Sequence, residues 1–123
     1  MRARAAFFAL IATTAMTSAA AADCRWIPST FRFSRNDSVS TTGTATKGSA
    51  CSVGFRAGGA THFTSGAIAA RPSHGTLTQT GALNFVYRPA AGFKGVDRYS
   101  LRVCGTDRAG SGCATLTYNI TVE

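Results

Sequence analysis

Apolar and polar residues alternate along the second half of the chain. In "RYSLRVC", Tyr99, Leu101 and Val103 fall on one face of an extended strand, while Arg98, Ser100, Arg102 and Cys104 fall on the other. "CATLTYNITV" repeats the pattern, with Ala114, Leu116, Tyr118, Ile120 and Val122 on the apolar face and Cys113, Thr115, Thr117, Asn119 and Thr121 on the polar one. Such period-two alternation marks half-buried strands. The same reading gives strands at 24–27 with 30–34, 50–56, 62–70, 75–79, 83–88, 96–104 and 113–122. Pro28 divides the first run, as at a sheet edge. "STTGTATKGS" and "RAGGAT", rich in Gly, Ser and Thr, read as loops, and no stretch carries a convincing helical period. About seven short strands with frequent turns predict an all-β fold, an antiparallel β-sandwich.

The alternation also names a core. It takes Trp26, Phe31, Phe33, Val53 and Phe55 from the first strands, Leu77, Leu83, Phe85, Tyr87 and Phe93 from the middle, and Tyr99, Leu101, Val103, Leu116, Tyr118 and Ile120 from the last two. Full burial of each such side chain is worth roughly 1.5–3 kcal/mol, opposed by chain entropy of similar total size.

Four cysteines allow three pairings, and strand parity selects one. Cys104 and Cys113 both point outward and flank the turn-rich "GTDRAGSG", so they meet if their strands form a hairpin. Cys51 alternates with Val53 and Phe55, and Cys24 with Trp26, which places both on apolar faces. The expected disulfides are therefore Cys24–Cys51 and Cys104–Cys113. Joining Cys51 to Cys104 would link an inward side chain to an outward one. The irregular spacings include no C-x-x-C pair, which argues against zinc and against redox chemistry.

Residues 1–22, "MRARAAFFALIATTAMTSAAAA", have the basic start, apolar stretch and small-residue end of a secretory signal peptide. Their apolar run is broken by Thr13, Thr14, Thr17 and Ser18, short of a membrane span, and no later segment approaches one. Asp23 before Cys24 is a poor context for lipid attachment. Removing 22 of the 123 residues leaves a domain at 23–123 that keeps 11 of the 13 basic residues against 5 acidic ones, a net charge of +6. Export, to the periplasm or the cell exterior, places the cysteines where disulfides persist. The basic balance favours anionic partners.

"RPSHGTLTQTGALNFVYRPAAGFKGVDRYSLRVCGTDRAG" followed by "ATLTYNITV" resembles the bacterial Ig-like and cadherin-like domains of exported and surface proteins. The matching positions are Pro72, His74, Gly75, Tyr87, Pro89, Gly92, Phe93, Gly95, Asp97, Tyr99, Asp107 and Gly110, within the part of the chain from Arg71 onward. The resemblance implies an Ig-like sandwich and a structural role for Tyr87, Pro89, Gly92, Phe93, Gly95 and Asp97. Pro89 fixes φ at a strand end, the glycines permit unusual backbone angles, and Phe93 anchors the loop. Asp97 is expected to accept N–H bonds from the 92–96 turn. The single copy and the cysteine pairs depart from the family pattern. Some relatives bind calcium through clustered acids, but Asp97 and Asp107 lie ten residues apart on one strand, roughly 30 Å at about 3.3 Å per residue. One ion cannot use both.

Candidate chemistry is sparse. His62 and His74 are the only histidines, neither in a triad or ligand pattern, and the five acids are scattered. The expectation is a protein that is not an enzyme and uses no metal or cofactor. Nucleic acid is disfavoured because basic and exposed aromatic residues are not interleaved. What remains is a binding module acting through its loops and the outward face of the last two strands. There Arg98 and Arg102 stand beside Thr115, Thr117 and Asn119, with Arg108 in the 105–112 loop. Arginine among hydroxyls suits carboxylate or phosphate, so the expected partner is an anionic envelope polymer or a protein. The alternative is an inhibitor or accessory subunit that inserts the 105–112 loop into an exported enzyme.

Overall fold

The computed structural model describes residues 24–27, 29–56 and 59–123; the signal peptide read at 1–22 and the strand break read at Pro28 lie outside the described residues. Eight strands run in the order β1 (Arg25–Trp26), β2 (Ser38–Ala45), β3 (Cys51–Gly54), β4 (His62–Ala70), β5 (Gly75–Gly81), β6 (Asn84–Pro89), β7 (Gly95–Asp107) and β8 (Gly110–Val122). One sheet has the order β1-β2-β8-β7-β4 and the other β3-β6-β5. The sets β8-β7-β4 and β3-β6-β5 reproduce the two faces of an Ig sandwich. The N-terminal strands depart from that plan. Both β1 and β2 join the larger sheet, and β2 runs parallel to β8 over its whole length, from Ser38 opposite Thr115 to Ala45 opposite Val122. All other pairings are antiparallel, as expected.

Strand β2 replaces most of the loop expected at "STTGTATKGS". Its inward positions are Thr41, Gly43 and Ala45, all buried, so it faces the core without a large apolar side chain. A Cβ at Gly43 would collide with the Trp26 ring, so the small residue is what lets the tryptophan lie across the strand. Residues 30–34, expected as strand, instead lead into a 3-10 turn at Phe33–Arg35. Asn36 ends the turn in the left-handed region (φ 50), and its Oδ1 accepts the Cys113 N–H at 3.0 Å. The turn drives Phe33 into the core, where it is 1% exposed.

The segment 105–112, expected as a loop, is mostly strand. β7 continues to Asp107 and β8 begins at Gly110, leaving only Arg108 and Ala109 to turn the chain. Gly105 and Gly112 suggest a loop, yet they are cross-strand partners beneath the 3-10 turn. A side chain at Gly105 would meet the His62 carbonyl and the Phe33 ring, and one at Gly112 the Phe33 carbonyl.

Both disulfides pair as parity requires. Cys24–Cys51 crosses from the residue before β1 to β3 in the opposite sheet, and Cys104–Cys113 joins directly opposed residues of the β7–β8 hairpin. Tyr87, Tyr99 and Tyr118 stack through the core with centroids 5.5 and 5.0 Å apart. Of the expected core, Trp26, Phe31, Val53, Phe55, Leu83 and Phe93 are only partly buried. Phe63 and Ile68, which were not expected there, pack beside it.

Because backbone and a buried ring crowd Gly105 and Gly112, Gly105→Ala and Gly112→Ala should each lower stability by about 1–3 kcal/mol. Ser111→Ala, at an exposed neighbour, should stay within about 0.5 kcal/mol. Urea unfolding measures all three; a neutral Gly105→Ala would mean the turn does not rest on the hairpin.

Candidate anion-binding face

The outward face of the larger sheet is a lattice set by strand register. Thr42, Asn119 and Arg98 form one row across β2, β8 and β7. Ser40, Thr117 and Ser100 form the next, and Ser38, Thr115 and Arg102 the third. Arg98 and Arg102 are exposed and four residues apart, about 13 Å along the strand. Arg98 Nε donates to Asn119 Oδ1 at 2.7 Å, and the Ser100 and Thr117 hydroxyls bond at 3.0 Å. Arg98, Arg102, Thr115 and Thr117 are thus brought onto one surface, extended by the β2 hydroxyls. Arg108 is not part of it; it sits at the hairpin tip.

Asp37, Asp97 and Asp107 are engaged elsewhere. Asp37 accepts the Arg32 N–H at 2.9 Å. Asp97, 3% exposed, accepts the N–H groups of Ser73 (3.0 Å), His74 (3.1 Å) and Arg98 (2.9 Å) and the Tyr87 hydroxyl at 2.6 Å. Its partners therefore come from the β4–β5 turn, from β6 and from the next residue of β7, not from the 92–96 turn that the sequence suggests. That turn is closed by the Phe93 N–H on the Ala90 carbonyl at 3.0 Å, with Gly92 and Gly95 at positive φ (79 and 134). Phe93 stacks on His74 at 4.4 Å. Pro89 ends β6 opposite Gly75.

A family model described as bacterial Ig domain matches residues 32–121. The chain belongs to that family. The match begins well before Arg71 and so takes in β2 and β3 of this bacterial Ig domain, where the motif resemblance was silent. No curated protein sequence matches. Among solved structures, the endo-fucoidan hydrolase MfFcnA4 of glycoside hydrolase family 107 matches with 15% identity and a TM-score of 0.34. That match covers 85% of this chain and 14% of the hydrolase.

Within this bacterial Ig domain, the tyrosine stack shows how environment separates like residues. Burial, reinforced by the hydrogen bond and charge of Asp97, pushes the Tyr87 phenol well above its ordinary range. Burial does the same to Tyr99, and raises Tyr118 to about 12. Tyr87 has a partner for its hydroxyl, whereas the buried Tyr99 hydroxyl has none among the described residues. No group of His, Cys, Asp and Glu able to hold a metal occurs among the described residues, and none of their helices is long and apolar enough to cross a membrane.

At the hairpin tip, Asp107 Oδ2 accepts the Ser34 N–H (3.0 Å) and hydroxyl (2.9 Å), while Oδ1 accepts the N–H groups of Ala109 (2.9 Å) and Gly110 (3.2 Å). These bonds, the Ser34 N–H first, hold the Asp107 carboxyl below its usual range against a smaller opposing effect of desolvation. The contact places Arg32 and Arg35 beside Arg108 around one cavity. Those two arginines escaped the sequence reading, because Ser34 and Asp107 are 73 residues apart and no local pattern links them.

Tyr87→Phe should cost about 1.5–3 kcal/mol, since a hydrogen bond to a buried carboxylate is lost. Tyr99→Phe should be neutral or stabilising, because it removes an unpartnered buried hydroxyl. Equal losses for the two variants in urea unfolding would show that Asp97 does not distinguish them. Asp107, with its folded pKa lowered, adds stability above the ordinary carboxylate range near pH 3.9 that is lost as pH falls through the folded value. Asp107→Asn should therefore flatten the stability curve below about pH 4; an unchanged acid limb would refute the assignment.

Proposed function

We propose that this domain is an exported, non-enzymatic binding module whose outward β2–β8–β7 face takes an anionic envelope polymer. The observation that carries the reading is the pair Arg98 and Arg102, exposed on a disulfide-closed hairpin among hydroxyls. Each hydrogen bond accepted by Asp37, Asp97 and Asp107 comes from a backbone N–H or a hydroxyl, so these carboxylates are not drawn onto the arginines. A planar guanidinium held among small hydroxyls favours carboxylate, sulfate or phosphate groups on a polymer laid across a flat sheet. Family membership supports a scaffold role, since this sandwich presents sites and supplies no chemistry of its own. Export is supported by two disulfides and by the signal peptide read at residues 1–22.

The inhibitor-like reading relied on an inserted 105–112 loop, and only Arg108 and Ala109 project as a turn. A protein partner is the other outcome of the experiment below.

Residues 23–123 are titrated with polygalacturonate and with envelope polysaccharide at rising salt. Arg98→Ala combined with Arg102→Ala should weaken binding at least tenfold, and parent binding should fall steeply with salt. Binding that survives both the double substitution and high salt would sink the polymer reading and favour a protein partner.

A further inference from the structure

The cavity at the hairpin tip is distinct from the sheet face. Its volume is about 430 Å³, and Arg32, Arg35 and Arg108 line it together with Ser34, Asp107 and Phe31. The volume is within the range of small-ligand sites. The three arginines are exposed, and they reach the cavity from two places far apart in the sequence, the 3-10 turn with the residue before it and the β7–β8 tip. What holds them together is Asp107, clamped to Ser34, with the turn seated over Gly105 and Gly112.

Asp107 also decides the charge the cavity presents. An ionised carboxylate has about four lone-pair directions. Here each oxygen accepts two donors, from Ser34 on one side and from Ala109 and Gly110 on the other. The carboxylate is fully used in holding the backbone and does not fork onto a guanidinium. Three cations against one such anion leave the cavity walls at +2. Three like charges gathered at one opening repel one another, and a bound anion removes that cost.

We propose that this cavity binds a phosphate monoester carried on a saccharide, held by Arg32, Arg35 and Arg108. A phosphate monoester near neutral pH has a charge close to −2, which matches the cavity, whereas a carboxylate or sulfate ester brings only one charge. Its three terminal oxygens can each meet a guanidinium, a bonding mode for which arginine is well shaped. The Thr61 hydroxyl, and the Ser34 hydroxyl as an acceptor, suit sugar hydroxyls, and Phe31, Ala60 and Ala109 give an apolar wall for the ring face. The inference does not rest on the polymer reading, because none of its residues lies on the β2–β8–β7 lattice.

The test compares methyl phosphate with methyl sulfate, which are alike in size and differ in charge, followed by glucose 6-phosphate. Binding to residues 23–123 is read from amide shifts of Ser34, Ala109 and Gly110. Methyl phosphate should bind saturably and at least tenfold more tightly than methyl sulfate, and glucose 6-phosphate more tightly still. Arg108→Gln and Arg35→Gln, both exposed changes, should each weaken methyl phosphate at least tenfold with the rest of the amide spectrum unmoved. Arg98→Ala with Arg102→Ala should leave it unchanged, so failure of the polymer reading and failure of this one are told apart. Equal affinity for the two methyl esters, absence of saturable binding, or full affinity in both glutamine variants would overturn the site. Glucose 6-phosphate binding no better than methyl phosphate would overturn its assignment to a saccharide.

Discussion

A buried carboxylate bonded across the gap between two sheets fixes much of this molecule. Asp97 sits at the start of β7, and its hydrogen bond from Tyr87 comes from β6 in the opposite sheet. Its bonds from Ser73 and His74 fix the turn by which the chain leaves β4 for β5. Taking a charge out of water is costly, and four donors around one carboxylate offset that cost. The constraint also sets direction. With Asp97 held inward, Arg98 must face outward, and strict alternation carries Ser100, Arg102 and Cys104 with it. The polar lattice on the outside is thus the other side of a buried anchor.

A second constraint acts at the far end of the same hairpin. Asp107 does for the tip what Asp97 does for the base, except that it works at the surface, where the bonds order backbone and 3-10 turn without burying a charge. Cys104–Cys113 closes the ladder between the two ends. Arg98 and Arg102 are therefore mounted on a strand pair fixed at base, middle and tip, so that little ordering of this face would be left for a ligand to impose.

Legibility in the sequence followed side-chain size. β7 and β8 alternate large apolar residues with polar ones, so their faces, the orientation of Arg98 and Arg102, and both disulfide pairings could be derived from parity alone. β2 obeys the same alternation, but its inward residues Thr41, Gly43 and Ala45 are small, Gly43 because the Trp26 ring lies against it, and a hydrophobicity pattern cannot register a residue chosen for lacking bulk. Gly105 and Gly112 misled in the same way: they mark a close approach of backbone to backbone, not a turn. The motif marks Asp97 as structural but points only to local partners, since nothing near it in the chain announces Ser73, His74 or Tyr87. The cavity at the tip was out of reach for the same reason.

The placement of Cys24–Cys51 changes how the domain would carry force. A parallel strand pair such as β2–β8 resists tension well, because pulling its ends in opposite directions loads all its hydrogen bonds at once instead of opening them one by one. Yet β1 and β2 both lie inside the loop that this disulfide closes. Tension arriving at Cys24 passes through sulfur directly to Cys51 and into β3, in the smaller sheet, so the β2–β8 clamp is bypassed and the enclosed chain cannot be drawn out. Reduction would return the load to that clamp and make the enclosed length available, so the redox state of one bond selects which sheet bears the pull.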